Sequence, residues 1–181
     1  MVADWLPSGR RVRDATAADA AACASIYARY VTDTAITFET EPPSADEMAE
    51  RIATASRTHA WLVLEDDGRV VAYAYAGTFN RRAAYRWSCE VSVYVEPARH
   101  RTGAGSALYE ALLRRLRQRG YRMAIAGMTL PNDASVALHR ALGFERVGTY
   151  RRIGFKHDAW HDVEWMQRAL GGQDEPPSEP E

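Results

Sequence analysis

The chain has 181 residues, 46% hydrophobic and 26% charged, a composition that is ordinary for one globular domain with a buried core. Its 23 basic and 24 acidic residues give a formal net charge of -1, which argues against a nucleic-acid partner because such binders usually carry a basic excess. The two cysteines, Cys23 and Cys89, are far apart and form no CxxC pair, so neither a disulfide scaffold nor a metal site is predicted.

Two helices are predicted near the start of the chain, because each candidate has a capping-box pattern in its first turn. One runs from Thr16 to about Tyr30, and the other runs from Ser44 to about Ala55. Alternating apolar residues, with turn residues between the runs, predict strands in the same half of the chain. These strands are Arg11–Ala15, Trp61–Glu65, Val70–Thr78 and Trp87–Val95.

The second half of the chain continues the alternation of helices and strands. Helices are predicted over Gly105–Arg119 and Asn132–Leu142, and strands over Tyr121–Met128, Glu145–Phe155 and Val163–Arg168. The element order β-α-α-β-β-β-α-β-α-β-β indicates a mixed α/β domain around one central sheet.

The two ends of the chain differ in composition from the domain between them. We expect the domain to span residues 11–170, after a flexible N-terminus over residues 1–10. Residues 171–181 are rich in glycine, proline and acidic residues and contain no apolar side chain, which predicts a disordered acidic tail. The sequence has neither a signal-peptide core nor an apolar run of the ~18 residues that a membrane span needs, so we expect no membrane contact and a cytoplasmic location.

The most informative stretch is a strand that runs into a basic, glycine-containing loop and then into a long helix, over residues 91–108. Glycines let a backbone approach a ligand closely, and the free N–H groups and dipole of a helix N-terminus attract phosphate. Arg99 and Arg101 add positive charge. A tight turn before an ordinary helix would give the same two glycines, and the loop completes neither a GxxxxGK[ST] nor a GxGxxG pattern.

Two motifs resemble the GNAT acetyltransferase superfamily. His100-Arg-Thr-Gly103-Ala-Gly105 resembles motif A, Q/R-x-x-G-x-G/A, with His100 in place of the usual first residue. The segment from Asn132 to Phe144 resembles motif B, N-x-x-[AS]-x-x-[LFM]-Y-x-x-x-G-F, with His139 where many members have tyrosine. A short helix capped at both ends would also explain the second segment.

This resemblance implies a mixed α/β (α+β) fold, in which a mostly antiparallel, twisted central sheet is splayed at the acetyl-CoA site and flanked by about four helices. It implies acetyl-CoA as co-substrate and no metal. Loop amides would bind the pyrophosphate of coenzyme A, and the preceding strand would pair with the pantetheine arm. The implied cofactor contacts are Val93, Val95, Arg101, Thr102, Gly103, Ala104, Gly105, Ser106, Asn132 and Ser135.

Further segments resemble the phosphinothricin and methionine sulfoximine N-acetyltransferases of this superfamily. These segments cover residues 37–42, 75–77, 82–87, 90–94 and 154–162. The resemblance implies acetylation of the amine of a small amino-acid-like compound, as in detoxification and herbicide resistance, by a homodimer. It implies Glu90 as general base with assistance from His139. The implied substrate contacts are Phe38, Arg82, Tyr85 and Tyr94.

Structural explanations stand beside these roles. Glu90 would be an exposed residue between valines, and Arg82 would be a solvated surface charge. His139 would be a packed or exposed helix residue. The predicted substrate aromatics, Phe38, Tyr85 and Tyr94, would belong to the core. Two other functions also remain open at this point. One is acetylation of a protein N-terminus, a lysine or a polyamine, and the other is a catalytically idle acyl-CoA-binding sensor.

Overall fold

The computed structural model describes residues 4–5, 9–172 and 179–180. Most of the predicted flexible N-terminus, at residues 1–3 and 6–8, and most of the predicted acidic tail, at 173–178 and 181, lie outside the described residues. The helices are α1 Ala20–Asp33, α2 Ala45–Thr58, α3 Ala104–Gln118 and α4 Asp133–Ala141. The strands are β1 Asp4–Trp5, β2 Arg11–Asp14, β3 Ala60–Asp66, β4 Arg69–Thr78, β5 Ser88–Val95, β6 Met123–Thr129, β7 Glu145–Lys156 and β8 Ala159–Ala169.

The eight described strands form one open sheet in the order β1-β2-β3-β4-β5-β6-β8-β7. Among them, only β5 and β6 pair in parallel, and this pairing runs from Ser88 with Met123 to Glu90 with Ile125. Because β4 stays paired with β5 as far as Val95, the two halves of the sheet diverge beyond Glu90. The predicted fold class, a mostly antiparallel sheet that is splayed and flanked by four helices, is confirmed.

Strand alternation gives the sheet two different faces. On β4, Ala74 and Ala76 pack in the cluster that contains α3, whereas Tyr73 and Tyr75 pack in the cluster under α1 and α2. On β5, Cys89 and Val91 face the α3 cluster. The alternate residues of β5, which include Glu90, therefore face α1 and α2.

Two predicted boundaries differ from the structure by four residues. α1 begins at Ala20 rather than Thr16, because Ala17–Asp19 form a 3-10 turn in which the buried Asp19 pairs with Arg13. The last hairpin is longer than predicted, since β8 begins at Ala159 and not at Val163. Its two-residue turn, His157 and Asp158, has φ values of 51° and 56°, a conformation that glycine usually supplies and that this sequence does not signal.

Candidate active site

The loop before α3 has the backbone that the glycine pattern predicts. Gly103 is the N-cap of α3 with φ 81°, a left-handed conformation that disfavours other residues. Gly105 has a different reason to be glycine, because a Cβ there would lie 3.2 Å from Leu138 Cδ2 of α4. The two glycines thus bring α4 close to the first turn of α3, whose N–H groups have no partner within the helix.

A cavity of about 630 Å³ lies between this loop, β5 and the start of α4. The predicted cofactor residues that line it are Val93, Arg101, Gly103, Ala104, Gly105, Ser106, Asn132 and Ser135. Thr102 and Val95 do not line it: the Thr102 carbonyl accepts from Arg10, and its hydroxyl donates to the Arg99 carbonyl at 2.8 Å. Segments that are about 30 residues apart in sequence therefore meet at one cavity with a positively charged rim.

The backbone of β5 beyond Glu90 faces the gap in the sheet. The Val95 carbonyl accepts from the Tyr30 hydroxyl at 2.5 Å, and the Val95 N–H donates to the same hydroxyl at 3.3 Å, so both groups point away from β4. With the two-residue period of a strand, the N–H and carbonyl of Val93 point the same way, into the cavity. His100 Nε2 lies 3.1 Å from both Val95 O and Tyr30 Oη, so this ring holds the end of β5.

Glu90 lies where the parallel pairing of β5 and β6 ends, opposite Gly77 of β4. Its side chain is partly buried on the face of α1 and α2, and burial raises the pKa of its carboxyl above the ordinary value. A raised pKa makes this carboxylate a stronger base than an exposed glutamate.

His139 is buried, with 2% of its surface exposed. Its Nδ1 lies 2.7 Å from the Ser135 carbonyl, which can only accept, so Nδ1 carries the proton. Nε2 then accepts from the Tyr109 hydroxyl at 3.0 Å. Burial lowers the pKa of His139, which favours the neutral imidazole at neutral pH.

Tyr109 is a residue of this site that the sequence reasoning missed. It lies beside Leu108 on the buried face of α3, and its hydroxyl also lies 3.4 Å from the Val91 carbonyl. A buried tyrosine hydroxyl usually has a partner, so a tyrosine in a leucine stripe is the signal that could have pointed to a polar neighbour.

The structure places Glu90 and His139 on opposite faces of β5. A narrow cavity of about 50 Å³ passes through the splayed gap, where it is lined by Val91 and His139 from one face and by Ser92 and Tyr94 from the other. This narrow cavity shares Val93, Asn132 and Ser135 with the large cavity at α3 and reaches residues on the Glu90 face, so we call it the passage.

A third cavity, of about 460 Å³, lies on the Glu90 side between α2 and the end of β4. Arg51, Tyr75, Gly77 and Thr78 are among its lining residues. The Arg51 guanidinium is already bound by the Glu39 carboxylate through two hydrogen bonds, of 2.8 and 2.9 Å.

The predicted substrate residues are dispersed around this face. Tyr94 lies in the narrow passage, with its ring centroid 4.8 Å from that of Tyr27. Arg82 and Tyr85 are exposed in the loop that follows β4, where the Arg82 N–H donates to Asn80 Oδ1 at 3.0 Å. Phe38 is exposed in the loop between α1 and α2 and lies against Gly154 of β7.

Lys156, which the sequence analysis also did not identify, binds the loop that contains Phe38. Its side chain is buried, and Nζ donates to the carbonyls of Val31, Thr37 and Glu39 at 2.6, 2.8 and 2.8 Å. The sequence does contain a signal, because this is the single lysine among 23 basic residues. An ammonium can meet three convergent carbonyls, a geometry that a planar guanidinium does not match.

Over the ranges that the structure describes, no group of three or more His, Cys, Asp or Glu side chains is arranged to hold a metal ion. No helix in those ranges is long and apolar enough to cross a membrane. Both cysteines are free and buried.

Comparison with known proteins identifies relatives of this chain. Residues 12–165 match the family described as Acetyltransferase (GNAT) domain. The chain is 42% identical over 157 residues to a phosphinothricin N-acetyltransferase of Streptomyces viridochromogenes, covering 87% of this chain and 86% of that protein. It is 36% identical over 161 residues to an L-methionine sulfoximine/L-methionine sulfone acetyltransferase of Pseudomonas paraeruginosa, covering 88% and 94%.

A solved structure with the same fold carries the co-substrate. It is a GNAT superfamily phosphinothricin acetyltransferase from Sinorhizobium meliloti in complex with acetyl-CoA. The TM-score is 0.89 at 40% sequence identity, and the alignment covers 98% of this chain and 94% of that one.

Proposed function

We propose that this chain, which belongs to the GNAT acetyltransferase family, transfers the acetyl group of acetyl-CoA to the amine of a small amino-acid-like acceptor, with phosphinothricin and methionine sulfoximine as the candidate compounds. The chain is an acetyl-CoA-dependent N-acetyltransferase. The cavity of about 460 Å³ on the Glu90 side of the sheet is the observation that supports a small acceptor, because this volume suits a small molecule.

Acetyl-CoA would bind on the α3 side of the gap. The first-turn N–H groups at Ala104–Ser106 and the charge of Arg101 suit its pyrophosphate, and the free backbone edge at Val93 suits the pantetheine amides. Arg99 contributes less charge, because its guanidinium is paired with Asp66 at 2.9 Å.

The acceptor amine must lose a proton before it can attack. An α-amino group with a pKa near 8 is mostly protonated at pH 7. Glu90 takes that proton, and the nitrogen lone pair then forms a bond to the acetyl carbonyl carbon. The Val93 N–H, which points into the gap, donates to the resulting oxyanion.

Attack leaves a positive charge on the nitrogen, which gives its second proton to water on the acceptor side. Collapse of the intermediate then breaks the carbon–sulfur bond and releases the neutral amide and the thiolate of coenzyme A. A thiol with a pKa near 8.5 needs little acid assistance at neutral pH. His139 assists by positioning: its neutral imidazole fixes the Tyr109 hydroxyl beside the passage through which the acetyl group reaches Glu90.

Acceptor recognition would come from the loops around the Glu90 side. Arg82 would pair with the acceptor's carboxylate or phosphinyl group; this role is supported by the position of its loop, which begins after Thr78, a residue that lines the cavity. Phe38 and Tyr85 would close over the acceptor from two sides. Acetylation removes the ammonium charge of the acceptor, which supports a role in the inactivation of toxic amino-acid analogues.

We further infer that the chain forms a homodimer through β7 and β8. Large apolar side chains are 57–60% exposed on this hairpin, namely Val147, Tyr150, Ile153, Phe155 and Trp160. β7 is also an edge strand of the sheet, and a second copy related by a two-fold axis would cover both the edge and these side chains. Light scattering after gel filtration tests this, with Ile153→Lys expected to give the monomer mass.

A cytoplasmic location is also proposed. It is supported by the two buried free thiols, which suit a reducing compartment.

A thiol-release assay with acetyl-CoA tests the proposed function. The acceptors are phosphinothricin, methionine sulfoximine, free amino acids, a polyamine and an N-terminal peptide. Turnover of either of the first two supports the proposal. Turnover of the peptide or polyamine alone would overturn the acceptor class, and tight coenzyme A binding without any turnover would favour a sensor.

A further inference from the structure

Gly77 lies next to the last residue of β4, beyond the pairing with β3 but within the pairing with β5. It pairs with Glu90 of β5, and by strand alternation it shares the face of Tyr73 and Tyr75, toward α1 and α2. A glycine inside a strand weakens the strand, and it often marks a bulge or a place where a ligand or another backbone approaches closely.

The other glycines within described strands each have a local reason. A Cβ at Gly127 would lie 3.2 Å from the Trp165 ring, and one at Gly154 would collide with Phe38. Gly148 lies at a register shift of the edge strand β7, where a bulge accounts for it.

Gly77 has none of these reasons. Its φ lies outside the left-handed region, no atom lies within 4 Å of a Cβ built on it, and β4 pairs with β5 without a register shift. An alanine or valine would therefore fit the backbone, and valine would favour the strand.

The space that Gly77 leaves open belongs to the cavity of about 460 Å³ that Tyr75 and Thr78 also line. Glu90 does not itself line this cavity, but it is the β5 partner of Gly77, and its partly buried side chain lies on the same face of the sheet. A Cβ at position 77 would enter this open space without meeting protein atoms, and a valine side chain would fill more of it.

We infer that Gly77 determines acceptor specificity, by keeping open the space beside Glu90 into which the side chain of an amino-acid-like acceptor extends. This inference rests on the proposed function and names the residue that limits acceptor size. The acceptor class is an α-amino acid with an extended polar side chain, such as a sulfone, and not a compact one.

The test uses steady-state kinetics of the full chain with two acceptors that differ by one methylene, methionine sulfone and S-methylcysteine sulfone. Gly77→Val should raise the KM for methionine sulfone about tenfold, or ~1.4 kcal/mol, because the valine side chain occupies space that the bound acceptor needs. The KM for the shorter sulfone should rise less, and the KM for acetyl-CoA should not change. Gly77→Ala should fall between wild type and Gly77→Val.

Gly172→Val is the matched control, because Gly172 also has an ordinary φ and open space around its Cβ but lies beyond the end of β8. It should match wild type. Equal KM values for wild type and Gly77→Val with both sulfones would overturn the inference, as would an equal rise for both sulfones and acetyl-CoA. A wild-type chain that acetylates neither sulfone nor any other amino acid would instead overturn the proposed function, and this inference with it.

Discussion

Replacement of Lys156 by methionine should destabilise the fold strongly while leaving its shape unchanged. The Lys156 ammonium is buried and donates to the carbonyl of Val31, near the end of α1, and to those of Thr37 and Glu39 in the segment that links α1 to α2. An ammonium has three N–H donors and no acceptor, so these carbonyls satisfy it completely. Methionine keeps the length of the side chain but leaves all three carbonyls without this donor.

The size of the effect follows from these contacts. A hydrogen bond to a charged group contributes ~1.5–3 kcal/mol, but burying the ammonium opposes part of that gain. Each carbonyl that loses its donor costs ~1–3 kcal/mol, and removal of the buried ammonium offsets part of the total, so we expect the free energy of unfolding to fall by about 3–5 kcal/mol. At ~2–4 °C per kcal/mol for a chain of this size, the melting temperature should fall by roughly 10 °C.

Urea unfolding followed by circular dichroism measures this change. Arg151→Met is a control on the same strand, since Arg151 is exposed and pairs with Asp162 at 2.7 Å, a surface pair worth at most about 1 kcal/mol. Lys156→Arg should also destabilise, because a planar guanidinium cannot meet three convergent carbonyls. An unfolding free energy for Lys156→Met within about 1 kcal/mol of wild type would refute this reasoning.

Three further predictions concern the site itself. Glu90→Gln should lower kcat/KM by ~10²–10⁴ with acetyl-CoA affinity unchanged, and a folded variant with the wild-type rate would remove Glu90 from the mechanism. Gly105→Val should weaken coenzyme A binding in calorimetry, because the added side chain meets Leu138 and separates α4 from α3; an unchanged Kd would contradict this. The wild-type chain should lose stability as the pH falls from 7.5 to 5.5, because the unfolded state protonates His139 near its ordinary pKa of 6.5 while the folded state keeps it neutral. His139→Gln should reduce this loss of stability. Urea midpoints with the same pH dependence in both proteins would argue against it.

The sequence was most informative where structure is local. The capping box at Ser44 predicts the start of α2, and the Asp67–Gly68 turn predicts the hairpin of β3 and β4. The hairpin at His157 and Asp158 could not be predicted, because its left-handed conformation is imposed by pairing along two long strands and not by glycine or asparagine.

The same distinction applies to the candidate site. The resemblance to motifs A and B located the loop and helix residues that line the cavity at α3, since those contacts follow from short segments. Tyr109 and Lys156 depend on partners 30 and more than 100 residues away, so no local pattern assigns them. Val95 was expected to meet the pantetheine arm, but its backbone groups are bound to Tyr30, a contact that depends on where α1 packs.

The splayed sheet also separates the deprotonation of the amine from the protonation of the thiolate in the proposed reaction. Glu90 lies on the face of α1 and α2, where the acceptor cavity is, whereas His139 and Tyr109 lie on the α3 face, next to the proposed coenzyme A site. The one N–H of the neutral His139 ring donates to the Ser135 carbonyl, which does not carry a proton onward, so in the proposed mechanism the imidazole does not pass a proton from Glu90 to the thiolate. In the proposed mechanism, the amine protons therefore leave on the acceptor side, one of them by way of Glu90, and the thiolate is protonated independently on the other side of the sheet.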